Sequence, residues 1–229
     1  MHKLKNFLIS PIGGKVLMAL SGAMIILFLV GHALGNLLIF SSQNSLNTYA
    51  YWLQNSPMLW VFRVTMLLLL VLHSVLAVRI YFQNKSARPI QYEVNTDIQL
   101  TLSAKTMIFS GLIILVFIIF HIIHLTLGWM PTTSFEVAQG EKMIDVYANV
   151  VRGFQQPAIT FLYVISILVI GLHLHHSIKS LFQTLGFHHL NFHQVIDLLA
   201  PALIIVLSLA FISIPLAVWF GFLSLPVMQ

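Results

Sequence analysis

Five stretches of this chain, roughly 15–40, 57–83, 104–129, 156–182 and 195–222, are each more than 20 residues long and almost wholly apolar. Crossing about 30 Å of hydrocarbon takes about 20 apolar residues, and a backbone in lipid must satisfy its own hydrogen bonds. These stretches therefore read as membrane helices, and the chain as an all-α integral membrane protein. The rest of the 229 residues offers little else to fold: 59% are hydrophobic and only 7% charged, against about a quarter charged in a soluble domain. Disorder is excluded by the same numbers. The basic residues, scattered over several loops, form no continuous face for nucleic acid. The first stretch follows Lys3, Lys5 and Lys15 as a signal peptide would, but it is too long and lacks a small-residue cleavage site.

Topology follows from the Lys and Arg distribution. With the N-terminus in the cytoplasm, that side holds Lys3, Lys5, Lys15, Arg79, Lys85, Arg88, Lys105 and Lys179, and the other only Arg63, Lys142 and Arg152. Five spans then place the C-terminus outside, and the expected location is a bacterial cytoplasmic membrane. Pro57 and Pro157 sit where spans begin and a missing N–H costs nothing. Pro201 and Pro215 lie inside the fifth span, so it is expected to be bent or locally broken. The first four spans make two up-down pairs, a coarse repeat that suggests a four-helix bundle with a fifth helix alongside.

Eleven histidines and no cysteine set the chemistry. Disulfides, thiolate zinc, iron–sulfur clusters and covalently attached c-type haem are excluded, which leaves His, Met or oxygen ligands. Four spans carry a histidine at matched depth: His32 is 17 residues past Lys15, His121 16 past Lys105, His73 16 past Pro57 and His173 16 past Pro157. At 1.5 Å per residue each lies about 24–26 Å along its span. Because alternate spans run in opposite directions, His32 and His121 share one level near the outer face, and His73 and His173 another near the inner face. Two facing imidazoles at each level suit two bis-histidine b haems stacked across the membrane. A haem-free transporter using the same histidines as titrating groups is the competing reading.

The remaining histidines divide by position. His124 follows His121 by three residues and His176 follows His173 by three, so either could replace its neighbour as ligand; depth matching argues against both and leaves them to a propionate, a quinone or the interface. His175 points elsewhere, His188, His189 and His193 fall in a cytoplasmic turn, and His2 is terminal. Ser21, Gly22, Gly31, Gly35 and Gly171 would let a flat macrocycle or a neighbouring helix approach. Lys15, Arg63, Arg152 and Lys179 could pair with propionates, and Trp52, Trp60, Trp129 and Trp219 read as interface anchors.

These features, with the segments Gly31-His32-Ala33-Leu34-Gly35-Asn36-Leu37, Leu46-Asn47-Thr48-Tyr49-Ala50, and His173-Leu174-His175-His176 running to Ser180 and Phe182-Gln183-Thr184-Leu185-Gly186, resemble the dihaem cytochrome b membrane subunit of succinate:quinone oxidoreductases, the succinate dehydrogenases and fumarate reductases. The resemblance covers essentially the whole chain and is nearest to the single-subunit, five-helix form of Bacteroidetes-type complexes. It implies that His32 and His121 ligate a distal haem and His73 and His173 a proximal one. It further implies a flavoprotein and an iron–sulfur partner on the cytoplasmic face, and electron delivery to a quinone, by expectation menaquinone, in either direction between succinate and fumarate. A dimer of such heterotrimers is compatible with it. Some relatives carry a carboxylate two residues before the fourth ligand for proton conduction; Gly171 stands there, so that path is not expected. With neither cysteine ligands nor a flavin fingerprint, this subunit's share is haem ligation, electron transfer and quinone binding. Candidate quinone-site groups near the outer level are Asn36, Arg63, Trp129, Arg152 and Gln156. A cytochrome b serving another quinone-linked dehydrogenase or a hydrogenase is the nearest alternative.

Overall fold

The computed structural model of the chain describes residues 6–7, 10–87, 106–127, 134–136, 142–186 and 190–225. Its long helices are α1 (Pro11–Leu37, continued by a 3-10 turn to Phe40), α3 (Met58–Ser86), α4 (Met107–His121), α6 (Pro157–Thr184) and α7 (Leu190–Trp219). All five are long and apolar enough to cross a bilayer, and they coincide with the expected spans to within a few residues. Local chemistry sets their starts. Ser10 caps α1 by accepting from the Gly13 N–H, with Pro11 in the first turn, and Pro157 opens α6. The protein is a multi-pass helical membrane protein.

Packing follows the two-pair pattern: α1 lies against α3 and α4 against α6, with α1 and α6 also touching, while α3 and α4 meet only lightly. The fifth long helix, α7, covers the α1–α6 side, where Ala33, Leu174, Ile178, Ala200, Ile204 and Leu207 form a buried cluster. Gly171 belongs to this seam: a Cβ there would stand 3.2 Å from Ser208 Oγ, so the glycine admits α7 and not a cofactor. Helix α7 is continuous through Pro201 and Pro215, so of the expected bend or local break the break does not occur. Proline removes one backbone donor and the span keeps the rest of its ladder, while Pro215 itself is fully buried in the packing.

Two short helices lie in the connections between the spans. Gln43–Asn55 forms α2, capped by Ser42, and Val146–Phe154 forms α5, preceded by a ribbon of three-residue strands in which Ser134 pairs with Ile144 and Glu136 with Lys142. Asp145 joins them. Its carboxylate, 6% exposed, accepts from Gln43 Nε2 at 2.7 Å, Asn47 Nδ2 at 2.9 Å and the Ala148 N–H at 2.9 Å, while Asn47 Oδ1 accepts from the Tyr147 N–H at 3.0 Å. Below this clamp Ile39, Leu46, Val151, Phe154, Tyr163, Ile214 and Val218 close one end of the bundle. That end, where α1 and α4 finish, is called the far end here; α1 and α4 begin at the near end.

Candidate functional site

Where α3 and α4 stand apart, the four helices α1, α3, α4 and α6 border a partly open cavity of about 2360 Å³ lined mostly by Leu, Ile, Val and Phe. A site for one drug-sized ligand occupies about 300–1,000 Å³, so this space takes more than one such body. Helix α3 explains its breadth: only Leu76 and Ile80 of that span are buried. His32, His73, His121, His173 and His176 line the cavity, as do Asn36, Tyr49, Arg63 and Asn149.

The histidines stand in two tiers. At the near end His73 reaches across from α3 to the start of α1, with Nδ1 3.3 Å from the Met18 carbonyl and 3.3 Å from Ser21 Oγ. His173 reaches from α6 to the start of α4 in the same way, with Nδ1 3.0 Å from Ser110 Oγ. Each serine gives its own hydrogen to the carbonyl three residues back, Met18 or Met107, at 3.0 Å, so each accepts from the imidazole. Both rings therefore carry the proton on Nδ1 and leave Nε2 as a lone pair. The glycine after each serine makes room: a Cβ on Gly22 would sit 3.3 Å from His73 Cε1, and one on Gly111 3.4 Å from His173 Cε1.

Ten residues further along α1 and α4, about 15 Å up each helix, come His32 and His121. Their ring centres are 5.9 Å apart and their planes perpendicular. Two imidazoles sharing one metal through bonds of about 2 Å bring their ring centres to roughly 6 Å. Phe28 stacks on His32 at 5.3 Å, and Asn36 Nδ2 donates to His32 Nε2 at 3.2 Å, so this ring too holds its proton on Nδ1. His121 Nδ1 lies 3.2 Å from the Tyr163 hydroxyl. Gly31, beside His32, lines the cavity with nothing within 4 Å of where a Cβ would stand, whereas Gly35 is filled by the Tyr49 ring, 2.7 Å from such a Cβ.

His124 is not a rim residue. The span ends in a π-turn, Ile122–Thr126, closed by Leu127 N–H to the Ile122 carbonyl at 2.9 Å; His124 within it lies outside the cavity lining and in the protein, 6% exposed and 2.9 Å from the Tyr163 hydroxyl. His176, by contrast, does line the cavity. Of the quinone-site candidates, Asn36 and Arg63 line it, Arg63 lying 5.2 Å over the Trp60 ring, whereas Arg152 and Gln156 do not. Trp129 falls outside the described residues, as do Lys105, His188 and His189 and the side chain of His193. Sequence reasoning missed Ser110, Gly111, Tyr163 and Asn149. The first two were legible, because Ser-Gly stands ten residues before a histidine in both α1 and α4. Asn149 was not: its Oδ1 is buried without a hydrogen-bond partner, which only the packing of α5 reveals.

Among the described residues no three His, Asp or Glu side chains converge as a metal cage. The histidines come in twos, a donor set suited to the axial positions of a macrocycle that brings its own equatorial nitrogens. No family model, characterised protein or solved structure matches the chain.

Proposed function

We propose that this chain is the dihaem cytochrome b anchor of a succinate:quinone oxidoreductase, spanning a bacterial cytoplasmic membrane with its N-terminus inside. The observation that carries the haem assignment is the pair of histidine tiers around one apolar cavity, with Nδ1 of His73, His173 and His121 tied to Ser21, Ser110 and Tyr163 and their other nitrogen left to a metal. A hydrogen bond at the far side of an imidazole fixes its tautomer and raises its basicity as a ligand. The open space at Gly31 and the thinly packed inner face of α3 fit a broad apolar group better than a lone ion. His73 and His173 would hold one b haem and His32 and His121 the other, with Asn36 giving up its contact to His32. Haem b, when bound, supplies a one-electron carrier at each tier. The assignment to a succinate enzyme rests on the sequence motifs around His32 and His173.

The protein's other tasks are to keep water from the tiers and to meet a quinone, by expectation menaquinone. The core beneath the Asp145 clamp closes the far end, and the apolar lining excludes water elsewhere. A quinol hydroxyl needs an acceptor at the edge of the apolar region, and Asn149, which lines the cavity and whose buried Oδ1 has no hydrogen-bond partner, would supply one on a turn of its side chain. Asn149→Leu, which keeps the branching at Cγ and removes the amide, should raise KM for quinol several-fold with haem content unchanged; an unchanged KM removes Asn149 from the site. Succinate chemistry belongs to the flavoprotein and iron–sulfur partners, since this chain has no cysteine to carry a cluster.

The test is a pyridine-haemochrome count and a reduced-minus-oxidised spectrum on the purified membrane complex, followed by reduction with succinate. Two b haems per chain, reduced by succinate, are expected. Copurification with a nickel or molybdenum enzyme would move the chain to another quinone-linked cytochrome b. A folded protein without colour would leave the transporter.

A further inference from the structure

Tyr163 places one hydroxyl between two imidazoles, 3.2 Å from His121 Nδ1 and 2.9 Å from His124 Nδ1. A phenol has a single hydrogen, so it donates to one ring and accepts from the other. Donation to His124, the shorter contact, makes the phenol oxygen the acceptor for the Nδ1–H of His121 and leaves His121 Nε2 as the lone pair. His124 can take that hydrogen only while it presents Nδ1. Its ring is held to this orientation from three sides: Phe120 stacks on it at 5.4 Å, Phe154 meets it edge-on at 6.4 Å, and α5 passes so close that a Cβ on Gly153 would stand 2.9 Å from His124 Cε1 and 3.0 Å from Nε2. Tyr163 is fixed as well, 5% exposed, with Phe154 4.8 Å and Phe117 5.1 Å from its ring centre.

We infer that Tyr163, backed by His124, is the positioning device for His121, selecting the ligand tautomer of the far tier and tuning that tier separately from the near one. The inference rests on the dihaem reading. The near-tier rings donate to groups on the spans themselves, His73 to Ser21 and the Met18 carbonyl and His173 to Ser110, each serine being anchored on its own helix. The far-tier ring donates instead to a phenol whose geometry depends on α5, a helix outside the spans. A neutral acceptor on Nδ1–H strengthens an axial imidazole as a donor and favours the oxidised metal. Loss of that acceptor should therefore raise the potential of the far tier alone.

The experiment is a redox titration and low-temperature electron paramagnetic resonance of the holocomplex with Tyr163→Phe and Gly153→Ala. Tyr163→Phe keeps the ring packing and removes the shared oxygen. Two haems per chain are expected to remain, with the far-tier signal shifted and its reduced-to-oxidised ratio at a fixed ambient potential several-fold higher, while the near-tier signal stays put. Gly153→Ala presses on His124 without touching the cavity and is expected to shift the far-tier signal only. Should Tyr163→Phe lose the far-tier haem outright, Gly153→Ala carries the test. Unchanged spectra in both variants, or equal shifts in both tiers, overturn the inference. Wild-type complex without two haems would instead overturn the dihaem reading on which it stands.

Discussion

Alanine in place of His73 or His173 is expected to halve the haem content of the purified complex, from two per chain to one, and to abolish reduction of the remaining haem by succinate. Alanine at His32 or His121 should also leave one haem, but one that succinate still reduces. The asymmetry follows from position. His73 and His173 meet the near-end parts of α1 and α4, through Met18, Ser21 and Ser110, whereas His32 and His121 lie eleven residues beyond those serines on the same helices. In the proposed orientation the near tier would face the electron-donating partners, so its loss would leave them separated from the far tier. An axial ligand cannot be replaced by a neighbouring water without changing the spectrum, and alanine offers no donor. His124→Ala and His176→Ala are the informative controls. Both should keep two haems, because His124 is turned into the protein and His173, not His176, is the ring anchored on Ser110. Two haems persisting in His73→Ala, or one lost in His176→Ala, would break the pairing.

The second large effect is on stability, and it lies away from the histidines. Asp145→Ala takes away the acceptor of three hydrogen bonds and leaves the Asn47 amide, which is fully buried, and the Ala148 N–H, 2% exposed, without partners. Each buried donor left unpaired costs about 1–3 kcal/mol, so the pair costs about 2–6 kcal/mol. For a chain of this size that corresponds to a fall of roughly 10 °C in apparent Tm. Asp145→Asn should lose much less, because its Oδ1 can stay toward Asn47 and Ala148 while its amide NH2 faces Gln43, whose own amide can turn its oxygen round to accept. Ser42→Ala, which removes only the exposed cap of α2, should cost about 1 kcal/mol. Thermal unfolding in detergent, followed by helical circular dichroism, orders the three. Equal losses for Asp145→Ala and Ser42→Ala would show that the α2–α5 clamp bears no special load. The clamp also roofs the far tier, so Asp145→Ala should loosen haem there before the near tier feels it.

Parts of the site were readable before any packing was known. The depth of each histidine could be counted from Lys15, Pro57, Lys105 and Pro157, and the structure brings the rings of His32 and His121 to 5.9 Å. The Ser-Gly pair ten residues before His32 and again before His121 was in plain view as a repeat, although only the hydrogen bonds to His73 and His173 explain it. His124 does share a face with His121, as its three-residue spacing implies, since both rings meet the Tyr163 hydroxyl, but the packing of Phe120, Phe154 and Gly153 buries it in the protein instead of leaving it to a propionate, a quinone or the interface. Gly171 serves the α7 seam because Ser208 faces it, a contact between residues 37 apart in the chain. Arg152 and Gln156 were chosen by nearness to the outer level, and depth does not say which way a side chain at the end of a helix turns.

The sequence by itself determined the five spans and the level of each histidine. A bilayer demands about 20 apolar residues with every backbone bond closed locally, and an α-helix then converts residue number into depth at 1.5 Å per step. Both quantities are properties of one segment at a time. Tertiary structure alone decided which helices separate to leave the cavity, which imidazole nitrogen is tied by Ser21, Ser110 or Tyr163, that His124 leaves the lining, and that Asp145 locks α2 to α5 across about a hundred residues of chain. Each of these depends on the rotation of one helix against another, set by side chains far apart in sequence, and a hydrophobic pattern that is nearly uniform around each span carries almost no information about that rotation.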